Sequence, residues 1–183
     1  MTRTLKTALA AIGLAALATT GHAAEAFKLV SPDIAEGRQM AMTQVANVFG
    51  GSGGNISPAL AWSNAPAGTK NFVITAYDPD APTGSGFWHW SMANIPATVS
   101  ALGGGLRPDG GPAGTVQVRN DYGTLGFGGA CPPPGMPHRY IFTVYAMGVE
   151  TLPIDASPTP AVVGFMTLAN TIGKATLTAL YGR

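Results

Sequence analysis

The chain has 183 residues, the size of one domain and long enough to bury a core of its own. Ten Lys and Arg face nine Asp and Glu, and charged residues are only 10% of the chain, so the clustered cations that nucleic-acid binding needs are missing. A single cysteine, Cys131, rules out an internal disulfide.

In chain order, the first signal is Arg3 and Lys6 ahead of the uncharged run Thr7 to Thr19, which closes on Gly21-His22-Ala23. A charged start, a short apolar middle and small residues at the end predict a secretory signal peptide over residues 1–23, followed by one domain over 24–183. The run falls short of the roughly 20 strongly apolar residues of a membrane span, so no stable span is expected once the leader is cleaved after Ala23. The mature chain is then expected in the periplasm or outside the cell. Cleavage leaves eight basic side chains, scattered singly, against nine acidic ones. Stability must come from the core, and Cys131 between Ala130 and Pro132 reads as a small buried residue.

The 25 glycines and 15 prolines are spread along the chain and predict many short elements joined by turns. Runs rich in aromatic and β-branched residues predict strands at Ala26 to Val30, Lys70 to Tyr77, Phe87 to Ile95, Thr115 to Val118, Arg139 to Met147 and Ala175 to Tyr181. In the Arg139 run, both alternating sets are apolar, the mark of a central strand covered on two sides. Gln39 to Phe49 suits strand or helix, and Gly103 to Gly114 reads as a long turn-rich loop. The clear helix begins at Thr159-Pro160, an N-cap with proline in the first turn, and ends near Gly173. Its spacing puts Val162, Phe165, Met166, Ala169 and Ile172 on one face.

Two histidines remain in the mature chain, His89 in Phe87-Trp88-His89-Trp90 and His138 in Pro137-His138-Arg139-Tyr140. Each sits at the start of a predicted strand. An imidazole can donate to an oxyanion from either ring nitrogen, so two converging on one point would hold a phosphate or carboxylate. Asp78-Pro79-Asp80-Ala81-Pro82 brings two carboxylates to the end of an apolar strand, which is also what an ordinary aspartate-proline turn looks like. The run from Gly126 to Gly135, with Cys131-Pro132-Pro133-Pro134 inside it, makes a stiff wall whose glycines allow close backbone approach.

These segments, with Asn55-Ile56-Ser57-Pro58, Trp62 and Asn120-Asp121-Tyr122-Gly123, occur in one order along the chain. Together they resemble the phosphatidylethanolamine-binding protein family, in its bacterial Raf-kinase-inhibitor-like branch, over about Phe27 to Arg183. The resemblance implies a mainly β fold in which a large central antiparallel sheet packs against a smaller sheet, with one or two peripheral helices. It implies a cavity for phosphate, phosphorylated head groups or similar small anions, lined or supported by Asp78, Asp80, His89, Cys131, Pro132, His138 and Tyr140. Phe127 stands where relatives often carry tyrosine. No catalytic residue and no cofactor is implied. A homodimer is left open, since members of this branch pair.

Carboxylates at Asp78 and Asp80 would repel an anion, and unit charges at ~4 Å interact by about 4 kcal/mol at an effective dielectric near 20. The aspartates are therefore expected to orient the histidines, one of them accepting from a ring nitrogen and fixing its tautomer. Three rival readings stand beside this one. Gly50-Gly51-Ser52-Gly53-Gly54 matches the G-x-S-x-G pattern of hydrolases, but that pattern works as a strand–turn–helix, and here the serine leads into a loop punctuated by glycine and proline over residues 53–58. Two histidines and two aspartates could ligate zinc, although no closely spaced histidine pair exists. The chain could also be an interaction or regulatory protein whose pocket modulates a protein contact.

Overall fold

The computed structural model describes residues 25–183, and the expected leader lies outside the described residues. Strands β1 (Lys28–Val30), β2 (Leu60–Ser63) and β5 (Ala101–Leu102) form a three-stranded antiparallel sheet in the order β1-β2-β5. Strands β3 (Asn71–Asp78), β4 (Phe87–Pro96), β6 (Val116–Gln117), β7 (His138–Met147) and β8 (Thr171–Tyr181) form a five-stranded antiparallel sheet in the order β6-β4-β3-β7-β8. One α-helix, α1 (Pro160–Asn170), and a 3-10 turn at Met42–Gln44 complete the described elements.

The alternation read from the sequence decides which face each residue serves. Along β3, Phe72, Ile74 and Ala76 point into the main core with Leu29, Leu60 and Trp62 of the small sheet, while Val73 points to the opposite face. Along β7, Tyr140, Phe142, Val144 and Ala146 join the main core, and Met147 joins the second cluster. That second cluster also holds Leu152, Ile154 and Val163, so the large sheet is covered on both sides. Six predicted strands are present; β2 and β5 were not anticipated, and β8 starts at Thr171, directly after the helix.

Two bulges in β4 break the period of two. Phe72 pairs with Ile95 and Ile74 with Met92, so β4 carries one extra residue there, where Asn94 adopts a left-handed φ of 59°. Ala76 pairs with Trp90 while Tyr77 pairs with Trp88, which leaves His89 as the extra residue of the second bulge. Trp90 therefore enters the main core, whereas Trp88 lies on the other face against Tyr77, ring centroids 4.5 Å apart.

The helix differs from expectation in its phase. Thr159 caps it and Pro160 opens it, but the buried positions are Pro160, Val163 and Thr167. Val162, Phe165 and Leu168 face outward, Met166 packs against the second cluster, and Ile172 belongs to β8, beyond the helix end at Asn170. The helix touches the sheet through its narrow side, with Gly164 next to Trp88.

Glycines set the backbone around the sheet's end. Val45 and Ala130 form a parallel bridge, with Ala46 N–H donating to Ala130 O at 2.9 Å and Ala130 N–H to Gln44 O at 3.1 Å. A Cβ at Gly129 would stand 2.5 Å from Ala46 N and 2.6 Å from Gln44 O, both backbone atoms. Gly129→Ala is expected to destabilise the protein by about 1–3 kcal/mol in urea unfolding, the usual cost of overpacking; an unchanged midpoint would contradict so close an approach.

Candidate functional site

β3 ends, β4 and β7 begin, and β8 ends at one edge of the large sheet. A cavity of about 290 Å³ opens there. It sits just under the usual range of small-molecule sites, room for a small ligand or a head group. Asp78 comes from β3, His89 from the bulge in β4, His138 and Tyr140 from β7, and Cys131 and Pro132 from the loop ahead of β7.

The two imidazoles are held by different acceptors. His138 Nδ1 lies 2.7 Å from Asp78 Oδ2, and His89 Nδ1 lies 2.9 Å from Gly128 O. A carboxylate and a carbonyl oxygen can only accept here, so Nδ1 carries the proton in both rings. Neither Nε2 has a hydrogen-bond partner among the described residues, and neither is among the fully enclosed orphan atoms, so both face the open volume. His89 is 3% exposed, and burial pushes its pKa below the ordinary value despite the Gly128 carbonyl and the Asp78 charge. His89 is thus neutral at pH 7, and its Nε2 presents a lone pair. This amends the expectation of two donors: at neutral pH His89 accepts.

The expected division of labour between the aspartates is resolved by geometry. Asp78, 3% exposed, spends Oδ2 on His138 and Oδ1 on the Asp80 N–H at 2.8 Å. Asp80 is not on the cavity wall. Its carboxylate takes the Arg139 N–H, Nε and Nη2, and the Arg139 guanidinium holds its pKa at about 2. It fixes the chain beside His138 and orients no imidazole.

Tyr140 lies against His89, ring centroids 5.1 Å apart. Its hydroxyl is enclosed without a fully formed hydrogen bond, the Cys131 N–H being the nearest donor, and burial raises its pKa. Cys131 is half-buried, not buried as expected, and its Sγ donates to Val48 O at 3.2 Å. Phe127 packs on Trp90 in the core and lies off the cavity.

Phe49, Thr83 and Arg183 line the wall from outside every motif the sequence offered, and Phe87 and Tyr122 line it from motifs in which they had no assigned role. Phe49 has a left-handed φ of 52° and stacks on Tyr122 at 5.7 Å, and Tyr122 donates its hydroxyl to Gly129 O at 2.9 Å. Tyr122 belongs to the Asn120-Asp121-Tyr122-Gly123 motif, where Asn120 Oδ1 accepts from Tyr122 N–H and Asp121 Oδ2 accepts from Trp88 N–H at 2.7 Å. Asn55 holds the wall in the same way, accepting the Gly129 N–H at 2.7 Å.

The rivals find less support. Ser52 is exposed in an irregular loop with neither a strand before it nor a helix after it, and lies off the cavity. Among the described residues, no three His, Cys, Asp or Glu side chains cluster as a metal ion would require.

The profile of the family described as phosphatidylethanolamine-binding protein matches residues 30–182. YbcL of Escherichia coli is 49% identical over 181 residues, covering 97% of this chain and 98% of YbcL. The YbcL crystal structure, whose title calls it a new member of the mammalian PEBP family, superposes with a TM-score of 0.84 over 86% of this chain and 98% of that one. YbhB of the same organism is 46% identical over 84% of this chain and 99% of its own length. A Mycobacterium tuberculosis protein named as a lipoprotein, LppC, is 37% identical over 72% of this chain and 60% of its own.

Two outcomes are expected. Asp78→Ala strands a buried imidazole and should cost roughly 3–5 kcal/mol in urea unfolding, whereas Asp80→Ala, at a half-exposed pair, should cost a small fraction of that; equal costs would contradict the assignment. Because the His89 pKa is depressed in the folded state, its contribution to stability is complete above the unfolded value of ~6.5 and is lost as pH falls through the folded value. The urea midpoint should therefore drop from pH 7.5 to 5, and His89→Gln should flatten that drop.

Proposed function

Since the chain belongs to the phosphatidylethanolamine-binding protein family, we propose that it is an exported binding protein that holds a small phosphorylated or otherwise anionic ligand, non-covalently, in the cavity at the end of the large sheet. The observation that carries this is the pair of imidazole Nε2 atoms facing one small volume, each ring fixed by an acceptor on Nδ1.

The chemistry depends on the donors and acceptors present. His138 Nε2 can donate to a phosphoryl oxygen when that ring is protonated, with Asp78 balancing its charge. The lone pair of His89 Nε2 accepts a proton, which matches the P–OH of a singly ionised phosphate or phosphomonoester. The aromatic rims of Phe87 and Tyr122 flank the mouth, 4.7 Å apart between ring centroids, and shield these bonds from water. No side chain on the wall is placed as an activated nucleophile, which is why binding is preferred to hydrolysis.

Export rests on the leader read at residues 1–23 and agrees with the name of the mycobacterial relative as a lipoprotein. No helix among the described residues is long and apolar enough to cross a membrane. The alternative, an interaction protein, has one observation in its favour: the outward apolar stripe of Val162, Phe165 and Leu168 on α1.

Calorimetric titration with inorganic phosphate and with phosphorylethanolamine should show binding that weakens at least tenfold from pH 5.5 to 8, as the imidazoles and the ligand lose protons. His138→Gln should weaken binding of both ligands several-fold. Absence of binding for both ligands, or affinity independent of pH in the wild type, would reject the reading.

A further inference from the structure

The ion pairs of this protein share one pattern. Lys70 is neutralised by Glu150, Arg107 by Asp109 and Arg139 by Asp80, each within 3.1 Å. Arg183 breaks it. No carboxylate among the described residues bridges its guanidinium, whose Nε donates to Pro132 O at 2.6 Å and whose Nη2 donates to Phe49 O at 3.1 Å. Carbonyl oxygens orient a guanidinium without cancelling its charge. Nη1 makes no hydrogen bond to the described chain and runs along Gly50, where a Cβ would approach it to 3.2 Å.

The position matters as much as the charge. Arg183 lies on the wall of the same cavity and is the one Lys or Arg side chain among the described residues lining it. The titratable groups facing it there are Asp78, His89, His138, Tyr122, Cys131 and Tyr140, with Asp121 acting on His89 from behind. Among the described residues, Asp78 is the one carboxylate on the wall and by itself repels an anion. A single fixed cation offsets that charge.

We propose that Arg183 is a ligand-binding residue that offsets the Asp78 charge and offers Nη1 to an anionic ligand at neutral and alkaline pH. This rests on the anion-binding reading above and adds to it the group that carries recognition when the histidines do not. Two loops that share no strand, the one at Phe49 and the one at Pro132, are braced by the same guanidinium. Brace and charge are therefore separable roles, and the test must tell them apart.

Inorganic phosphate is titrated calorimetrically into wild type, Arg183→Gln and Arg183→Lys at pH 8 and at pH 5.5, with melting temperature recorded for each. Arg183→Gln should lose tenfold or more at pH 8 and clearly less at pH 5.5, where phosphate carries a smaller negative charge; Arg183→Lys should recover most of the loss at pH 8. In the wild type, added salt should weaken binding at pH 8, a reading of the same cation that needs no substitution. Equal affinity of Arg183→Gln and wild type at pH 8, or an equal loss at both pH values with no rescue by lysine, overturns the proposal and leaves the anion site standing. Wild-type protein that binds no phosphate at either pH overturns both.

Discussion

The hydrogen-bonded pairing of β4, β3 and β7 is the constraint on which the rest of the molecule depends. These strands are apolar on both faces, between the small sheet on one side and α1 with its neighbouring segment on the other. Polar chemistry is costly anywhere along their length, because each buried group needs its own partner. It surfaces where the strands end. One edge gathers Asp78 from the finish of β3 with His138 and Tyr140 from the start of β7, and the bulge in β4 turns His89 toward the same place. The bulge exchanges one ladder pairing for the aim of a single side chain, a recurrent use of that irregularity.

The polar cluster so assembled is satisfied on its inner side and open on its outer side. Asp78 answers His138 and the Asp80 backbone, while Gly128 answers His89. Two imidazoles with the same tautomer thus have different surroundings: one is backed by a charge, the other by a neutral carbonyl in a nearly closed environment. Burial then holds the His89 pKa down, whereas His138 has a carboxylate beside it.

Much of the architecture was legible because the physics that forms a strand is written in neighbouring residues. The apolar runs at 70–77, 87–95 and 139–147 gave strands close to those observed, and Thr159-Pro160 marked the helix start. Strands β2 and β5 escaped notice since four and two residues carry too little pattern to stand out. The helix phase went the other way. The apolar stripe with helical period faces outward, and the buried positions include Thr167, whose hydroxyl has no partner. Helical spacing shows which residues share a face but not which face the fold will choose. In the cavity, His89, His138 and Asp78 were visible as chemistry-bearing residues in ordered motifs, whereas Arg183 was one scattered cation among eight. Only the return of β8 to the mouth of the sheet gives it meaning. The bulge at His89 was equally hidden, since Trp88-His89-Trp90 looks like plain alternation until a partner strand counts the residues.

The Gly-rich backing of the cavity has a consequence for how such a protein could change its guest. Gly51, Gly53 and Gly129 abut backbone atoms of residues 45, 46 and 44, so a side chain at any of them meets main chain that cannot swing aside. That packing, which stands behind the cavity without lining it, is closed to variation, and its shape is inherited whole or lost with the fold. Diversity has room at the rim, where Phe49 is 74% exposed and Thr83 and Pro133 are exposed in loops. A lineage built on this frame would keep the backing and diverge, if it diverged, around the opening.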